Sequence, residues 1–105
     1  MPFKHRFLPG FSDSLADITA YLSEIAPIYS VRFLDDLSHQ IETLSDMPYL
    51  YPKYEFDNRF HKMSMGDWKY VSFYIVDEEK REIIFYDILH MSRDIPSYLK
   101  SKFGE

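Results

Sequence analysis

The chain has no cysteine and three glycines in 105 residues. Without cysteine there is no disulfide, no thiolate nucleophile and no cysteine-based zinc site, which fits a reducing compartment. No apolar run approaches the roughly 20 residues that span a bilayer. The start of the chain has Lys4, His5 and Arg6, but no apolar stretch of signal-peptide length follows them. A soluble cytoplasmic protein is therefore expected, with no membrane association. The nucleotide and hydrolase signatures GxGxxG, GxxxxGK[ST], GxSxG and HExxH do not occur. His5, His39, His61 and His90 have no ligand spacing, so neither a metal nor a cofactor is expected. Paired acids such as Asp35–Asp36 and Glu78–Glu79 are adjacent, which sends them apart on a helix or into a solvated turn.

Hydrophobic residues make up 46% of the chain and aromatics 18%, enough for one compact domain over residues 1–105. Formal net charge is −5. From Ser14 to Met47 six acids face one base, Arg32. Such a half repels phosphate backbones, which argues against direct binding of free nucleic acid.

Trp68 to Asp94 organises the rest. Trp68–Val76 and Glu82–Leu89 are rich in β-branched and aromatic residues, and Asp77–Lys80 lies between them as a charged turn. This is a hairpin with a loop of four or five residues, its strands apolar enough to lie inside a covered sheet. Asn58–Met65 alternates, with Phe60, Lys62 and Ser64 on one face and Arg59, His61, Met63 and Met65 on the other. Pro2–Pro9 suits an edge strand. Leu15, Ile18, Leu22 and Ile25 define a helix over Ser12–Ala26. Ser12 or Asp13 would cap it, Asp17 would lie near its positive end, and Pro27 would end it. Ile28–Met47 is a second helix, stopped by Pro48. Tyr49–Asp57 reads as a loop and Ile95–Lys102 as a last short helix begun by Ser92 or Asp94. The expected fold is α+β: an N-terminal strand, an antiparallel helical hairpin on one face of a small antiparallel sheet formed by a three-strand C-terminal meander, and a short C-terminal helix.

Residues able to do chemistry collect on the meander: Arg59, His61, Lys62, Lys69, Tyr74, His90, Arg93 and Tyr98. A metal-free ribonuclease needs a base for the 2′-hydroxyl, cations for the phosphorane and an acid for the leaving oxygen, and these are the right types. A solvated sheet surface accounts for Arg59, Lys62 and Lys69 as well. Core packing accounts for Tyr74, and local hydrogen bonding for His90. Tyr49, Tyr51, Tyr54, Trp68 and Tyr70 are aromatic candidates for binding a protein partner, or for anchoring a loop.

The run Tyr70-Val71-Ser72-Phe73-Tyr74-Ile75-Val76-Asp77, followed by Ile83 to Asp94, resembles the "YxxFYxVD … VxIxxVLHxxRD" pattern of the RelE/ParE superfamily of toxins from type II toxin–antitoxin systems. It is closest to the ParE-like, or plasmid-stabilisation, members. Asp17-Ile18, Tyr21-Leu22, Ala26 and the Leu44-to-Pro48 exit match more loosely. The resemblance implies a bacterial toxin neutralised by a cognate antitoxin. ParE-like members are described as inhibitors of DNA gyrase. RelE-like members cleave messenger RNA on the ribosome with Lys, Arg, His or Tyr side chains. Val71 stands where RelE-like toxins place an arginine after a tyrosine, which favours the ParE-like, non-enzymatic reading. Asp87 replaces the arginine common before "VLH". The alternatives are a metal-free, ribosome-dependent ribonuclease and a degenerate, non-toxic family member. The antitoxin would engage the domain as an amphipathic helix in a groove or as a strand added to an edge.

Overall fold

The computed structural model describes residues 2–104. It contains β1 (Lys4–Phe7), α1 (Pro9–Ile25), α2 (Pro27–Asp46), β2 (Lys53–Tyr54), β3 (Asp57–Ser64), β4 (Tyr70–Asp77), β5 (Glu82–His90) and α3 (Ile95–Phe103). The strands form one sheet in the order β1-β5-β4-β3-β2. β1 runs parallel to β5, from Lys4 opposite Glu82 to Phe7 opposite Phe85, and the other neighbours are antiparallel. The expected order of strand, helical hairpin, meander and short helix is the observed one. The sheet is larger than the meander alone, because β1 joins one edge and β2 the other.

β2 lies inside the stretch expected to be a loop. Lys53 pairs with His61, Tyr54 with Asp57 across a bulge, and the Pro52 carbonyl accepts from Lys62 N–H. Trp68, expected to open a strand, belongs to a 3₁₀ turn over Gly66–Trp68. Gly66 (φ 56°) and Lys69 (φ 63°) take left-handed conformations on either side, so extension begins only at Tyr70. The β4–β5 loop spans the four residues 78–81, as expected, and Asp77 Oδ1 accepts from Lys80 N–H.

Both long helices begin at a proline. Pro9 and Pro27 supply a preset φ and give up an N–H that would have no partner there. α1 therefore starts almost a turn before Ser12. Its N-cap is Leu8 with no side-chain bond, so neither Ser12 nor Asp13 caps it. Asp17 sits too far along to feel the helix dipole, and Gly10 lies inside the first turn. Pro27 both closes α1 and opens α2. The single extended residue Ala26 (φ −163°, ψ 131°) makes the reversal. At the other end, Asp94 caps α3 by accepting from Ser97 N–H at 3.4 Å.

The alternation of β3, β4 and β5 assigns side chains to two cores. One face carries Met63, Tyr74, Ile83, Phe85 and Ile88 against Phe11, Ile18 and Leu22 of α1 and Phe33, Leu37 and Leu44 of α2. The opposite face carries Phe60, Val71, Phe73 and Leu89 beneath Ile95 and Leu99 of α3. The ribbon β4–β5 is thus covered on both sides, which explains its nearly unbroken apolar sequence. Trp68 reinforces the first core. Its ring meets Phe33 edge-on at 5.3 Å, and its Nε1 donates to Asp36 Oδ2 at 2.7 Å.

Tyr74 is wholly buried, and its hydroxyl donates to the Pro48 carbonyl at 3.1 Å. Burial pushes this phenol from 10.0 up to about 12. Because the folded state binds the proton more tightly, its stabilising effect is complete below pH 10 and is lost as pH rises toward about 12. Tyr74→Phe should cost about 1 kcal/mol at neutral pH through the lost bond, and should make alkaline unfolding shallower over that window, as read by urea titrations at successive pH values.

Candidate functional site

The chemistry-bearing residues of the meander are dispersed. Lys62 lies on the α3 side, its Nζ 5.4 Å from the centre of the Tyr54 ring. His61, its neighbour along the strand, faces the helical hairpin. It is buried, stacked on Tyr74 with ring centres 5.1 Å apart, and its Nδ1 donates to the Tyr51 carbonyl at 2.8 Å. Lys69 sits in the left-handed turn before β4, where its carbonyl receives Met91 N–H. His90 meets Tyr70 edge-on at 5.1 Å, and its Nδ1 accepts from the Ser92 backbone and lies 2.8 Å from the Ser92 hydroxyl. It is the local hydrogen-bonding residue its position suggested. Arg93 stacks on the Tyr98 ring at 4.4 Å.

Arg59 clamps Asp57 with two bonds, of 2.9 and 2.6 Å, and donates to the Phe103 carbonyl at the end of α3. These bonds hold the Asp57 carboxyl below its usual value of 3.8. The stabilisation is present above pH 3.8 and lost as pH falls through the lowered value. Arg59→Ala should remove this step from the acid unfolding curve followed by circular dichroism.

Three shallow clefts divide the candidates. Lys62, Tyr54 and Arg93 border a space of about 400 Å³ beside Met91 and Pro96. Tyr70, His90 and Arg93 border one of about 200 Å³ against Ser14 and Asp17. Tyr49, Arg59 and His61 border one of about 190 Å³ with Lys53. The first is where two of the expected cations meet, and its aromatic wall is Tyr54 and the exposed Phe56.

Of the aromatic binding candidates, Tyr54 and Tyr70 are buried, and burial raises both hydroxyls above the ordinary tyrosine value. Tyr51 accepts from Gln40 Nε2 at 2.9 Å, pinning the loop after α2 to that helix. Trp68 is half-buried against Phe33. Tyr49 stands exposed and donates to the Glu78 carboxylate, which raises its hydroxyl.

Asp87, which stands out in the sequence only as a replacement for an arginine, is the centre of a buried polar cluster that the sequence did not foretell. Asp87 is fully buried within β5. Beyond Phe85, β5 loses its β1 neighbour, and the β4–β5 register shifts between Phe73 and Tyr74. In that gap the carboxylate accepts from Ser14 Oγ of α1 at 2.6 Å, from Tyr98 Oη of α3 at 2.6 Å, and from Ile88 N–H at 2.8 Å. Burial, then the bond to Asp87, raises the Tyr98 hydroxyl. Tyr98 thus serves as a donor into the interior. The signal for this centre was an acid amid the apolar run EIIFYDIL, which must find donors to be tolerated. Asp87→Ala strands two hydroxyls and a backbone N–H, at about 1–3 kcal/mol for each unpaired buried group. Urea denaturation should show a loss of at least about 3 kcal/mol, and Tyr98→Phe a smaller one, with faster amide exchange in α3 in both variants.

Comparison with known proteins decides the family. Residues 6–95 match the model of the ParE toxin of the type II toxin–antitoxin system parDE. The chain belongs to the ParE toxin family. Among solved structures, the ParE-family chain is similar to one from the chromosomal ParDE toxin–antitoxin system of Pseudomonas aeruginosa. The TM-score is 0.70 at 14% identity, over 86% of this chain and 97% of that one. It is also similar to a chain of the RelBE2 toxin–antitoxin complex of Mycobacterium tuberculosis, with a TM-score of 0.56 at 16% identity, over 86% of this chain and 99% of that one. At such identities the likeness is one of fold. No curated protein sequence matches the chain.

Proposed function

We propose that this ParE-family toxin arrests growth in the bacterial cytoplasm by binding a protein target, DNA gyrase, and is held inactive by a cognate antitoxin. The observation that carries this reading is the dispersal of the basic and imidazole side chains. Lys62 and His61 lie on opposite faces of the sheet, and His61 is buried under Tyr51. The Tyr98 hydroxyl is spent on Asp87. A general base, an acid and phosphate cations need to converge on one reacting phosphate, and these residues are arranged instead as separate packing and capping groups. The antitoxin partner is supported by the family match and by the similar folds of chains from the ParDE and RelBE2 toxin–antitoxin systems.

Metal-free RNA cleavage is the second reading, and it has one observation in its favour: the cleft of about 400 Å³ shared by Lys62 and Arg93. Induction of the chain in a bacterial culture separates the two. Growth arrest with gyrase-linked DNA breaks, intact messenger RNA and no dependence on Lys62 is the expected outcome. Relief by co-expression of the adjacent reading frame would identify the antitoxin. Fragmented messenger RNA, abolished by Lys62→Ala with Arg93→Ala, would replace the gyrase reading with the ribonuclease one. Unimpaired growth with soluble protein present would mark a non-toxic member.

A further inference from the structure

One nitrogen of the His61 ring is not used by the fold. Its Nδ1 lies 2.8 Å from the Tyr51 carbonyl. A carbonyl can only accept, so Nδ1 carries the proton, and in the neutral ring Nε2 is left with a bare lone pair. No protein group bonds Nε2. Among the described residues the one buried side-chain polar atom without a partner is Glu82 Oε1, so Nε2 is reached by water. Tyr74, stacked at 5.1 Å, and Tyr49, tilted at 5.7 Å, hold the ring in this pose. The ring borders the cleft of about 190 Å³ that it shares with Tyr49, Lys53, Arg59, Ile75 and Val76.

Lys53 stands directly opposite His61 in the pairing of β2 with β3. Opposed residues of an antiparallel pair project from the same face, about 5 Å apart, so the ammonium and Nε2 can reach one small molecule together. Lys53 is exposed, and among the described residues no ion pair or hydrogen bond engages its ammonium. The other polar groups around the cleft are matched. Arg59 clamps Asp57. The Tyr49 hydroxyl donates to Glu78, and the charge of Arg81 acts on that same hydroxyl against the charge of Glu78. What remains is one cation beside one acceptor.

That combination selects its ligand. It calls for a group that is anionic and also donates a hydrogen. A carboxylate or sulfate has the charge without the donor, and an alcohol has the donor without the charge. Hydrogen phosphate has both. The size agrees: at about 30 Å³ for each water in the liquid, the cleft has room for an orthophosphate ion and not for a nucleotide. We propose that this cleft is a site for inorganic phosphate, which donates its O–H to His61 Nε2 and sets its charged oxygens against Lys53 Nζ. Such an ion would tie β2 to β3 where the sheet has only two paired residues and a bulge. The site is separate from the cleft shared by Lys62 and Arg93 and stands apart from the toxin reading, so either can hold without the other.

The test is nuclear magnetic resonance of the full chain, with long-range proton–nitrogen correlations that read the tautomer of each histidine. At about pH 8, inorganic phosphate keeps one O–H, whereas a phosphate monoester has lost its last one in an ionisation near pH 6. The free chain should show His61 neutral with its proton on Nδ1. Titration with inorganic phosphate at constant ionic strength should move the His61 Nε2 resonance along a saturable curve. Sulfate and methyl phosphate, which have the charge without the O–H, should bind about tenfold more weakly or worse, the loss expected for one hydrogen bond to a charged group. Lys53→Gln should weaken phosphate binding by a similar factor and leave the tautomer unchanged. Lys62→Gln, which removes the same charge from the opposite face of the sheet, should leave binding as it is. The proposal is overturned if the His61 proton is found on Nε2, if sulfate or methyl phosphate binds as tightly as phosphate, or if Lys53→Gln has no more effect than Lys62→Gln. A shift that never saturates would mean an adventitious ion only and would overturn it too.

Discussion

The ribbon of β4 and β5 is buried on both faces, and everything else is attached to it according to the parity of its residues. Tyr74, Phe85 and Ile88 hold the helical hairpin, while Phe73, Val71 and Leu89 hold α3. Strict alternation would give every residue of β5 an apolar neighbourhood. The register shift opposite Phe73 breaks it at one place and turns a carboxylate inward. Asp87 then joins α1, β5 and α3 at one point, through Ser14, its own strand and Tyr98. Hydrophobic contacts hold the two layers to the sheet, and these directional bonds fix where each layer sits.

The same features decide what the surface can offer. The Tyr74 and Tyr98 hydroxyls and one His61 ring nitrogen are committed to the Pro48 carbonyl, the Asp87 carboxylate and the Tyr51 carbonyl, and so are spent on the fold. The two helices, by contrast, spend one stripe each on the core and leave a second stripe between them. An amphipathic helix with a single apolar face would have no such remainder. Val31 and Leu34 of α2 are apolar side chains left exposed beside that stripe.

Much of this was legible in the sequence. Leu15, Ile18 and Leu22 gave α1, and the prolines at 27 and 48 bounded α2, because periodicity and proline sterics are local properties. The charged turn after Asp77 and the cap at Asp94 were readable for the same reason. What was not legible depends on residues distant in sequence. β2 exists because Lys53 finds His61. Trp68 leaves the strand because Gly66 and Lys69 turn left-handed together. Pro9 follows a strand and also opens a helix, which moves the cap away from Ser12 and the positive end of the dipole away from Asp17. The role of Asp87 required knowing that β1 departs after Phe7, and the scatter of Lys62, His61 and Lys69 required knowing which face each strand residue meets.

The parallel pairing of β1 with β5 sets an order of events during synthesis. Lys4 must wait for Glu82, so the sheet cannot close on its first strand until nearly the whole chain has been made. The helical hairpin, whose contacts are close in sequence, can form long before.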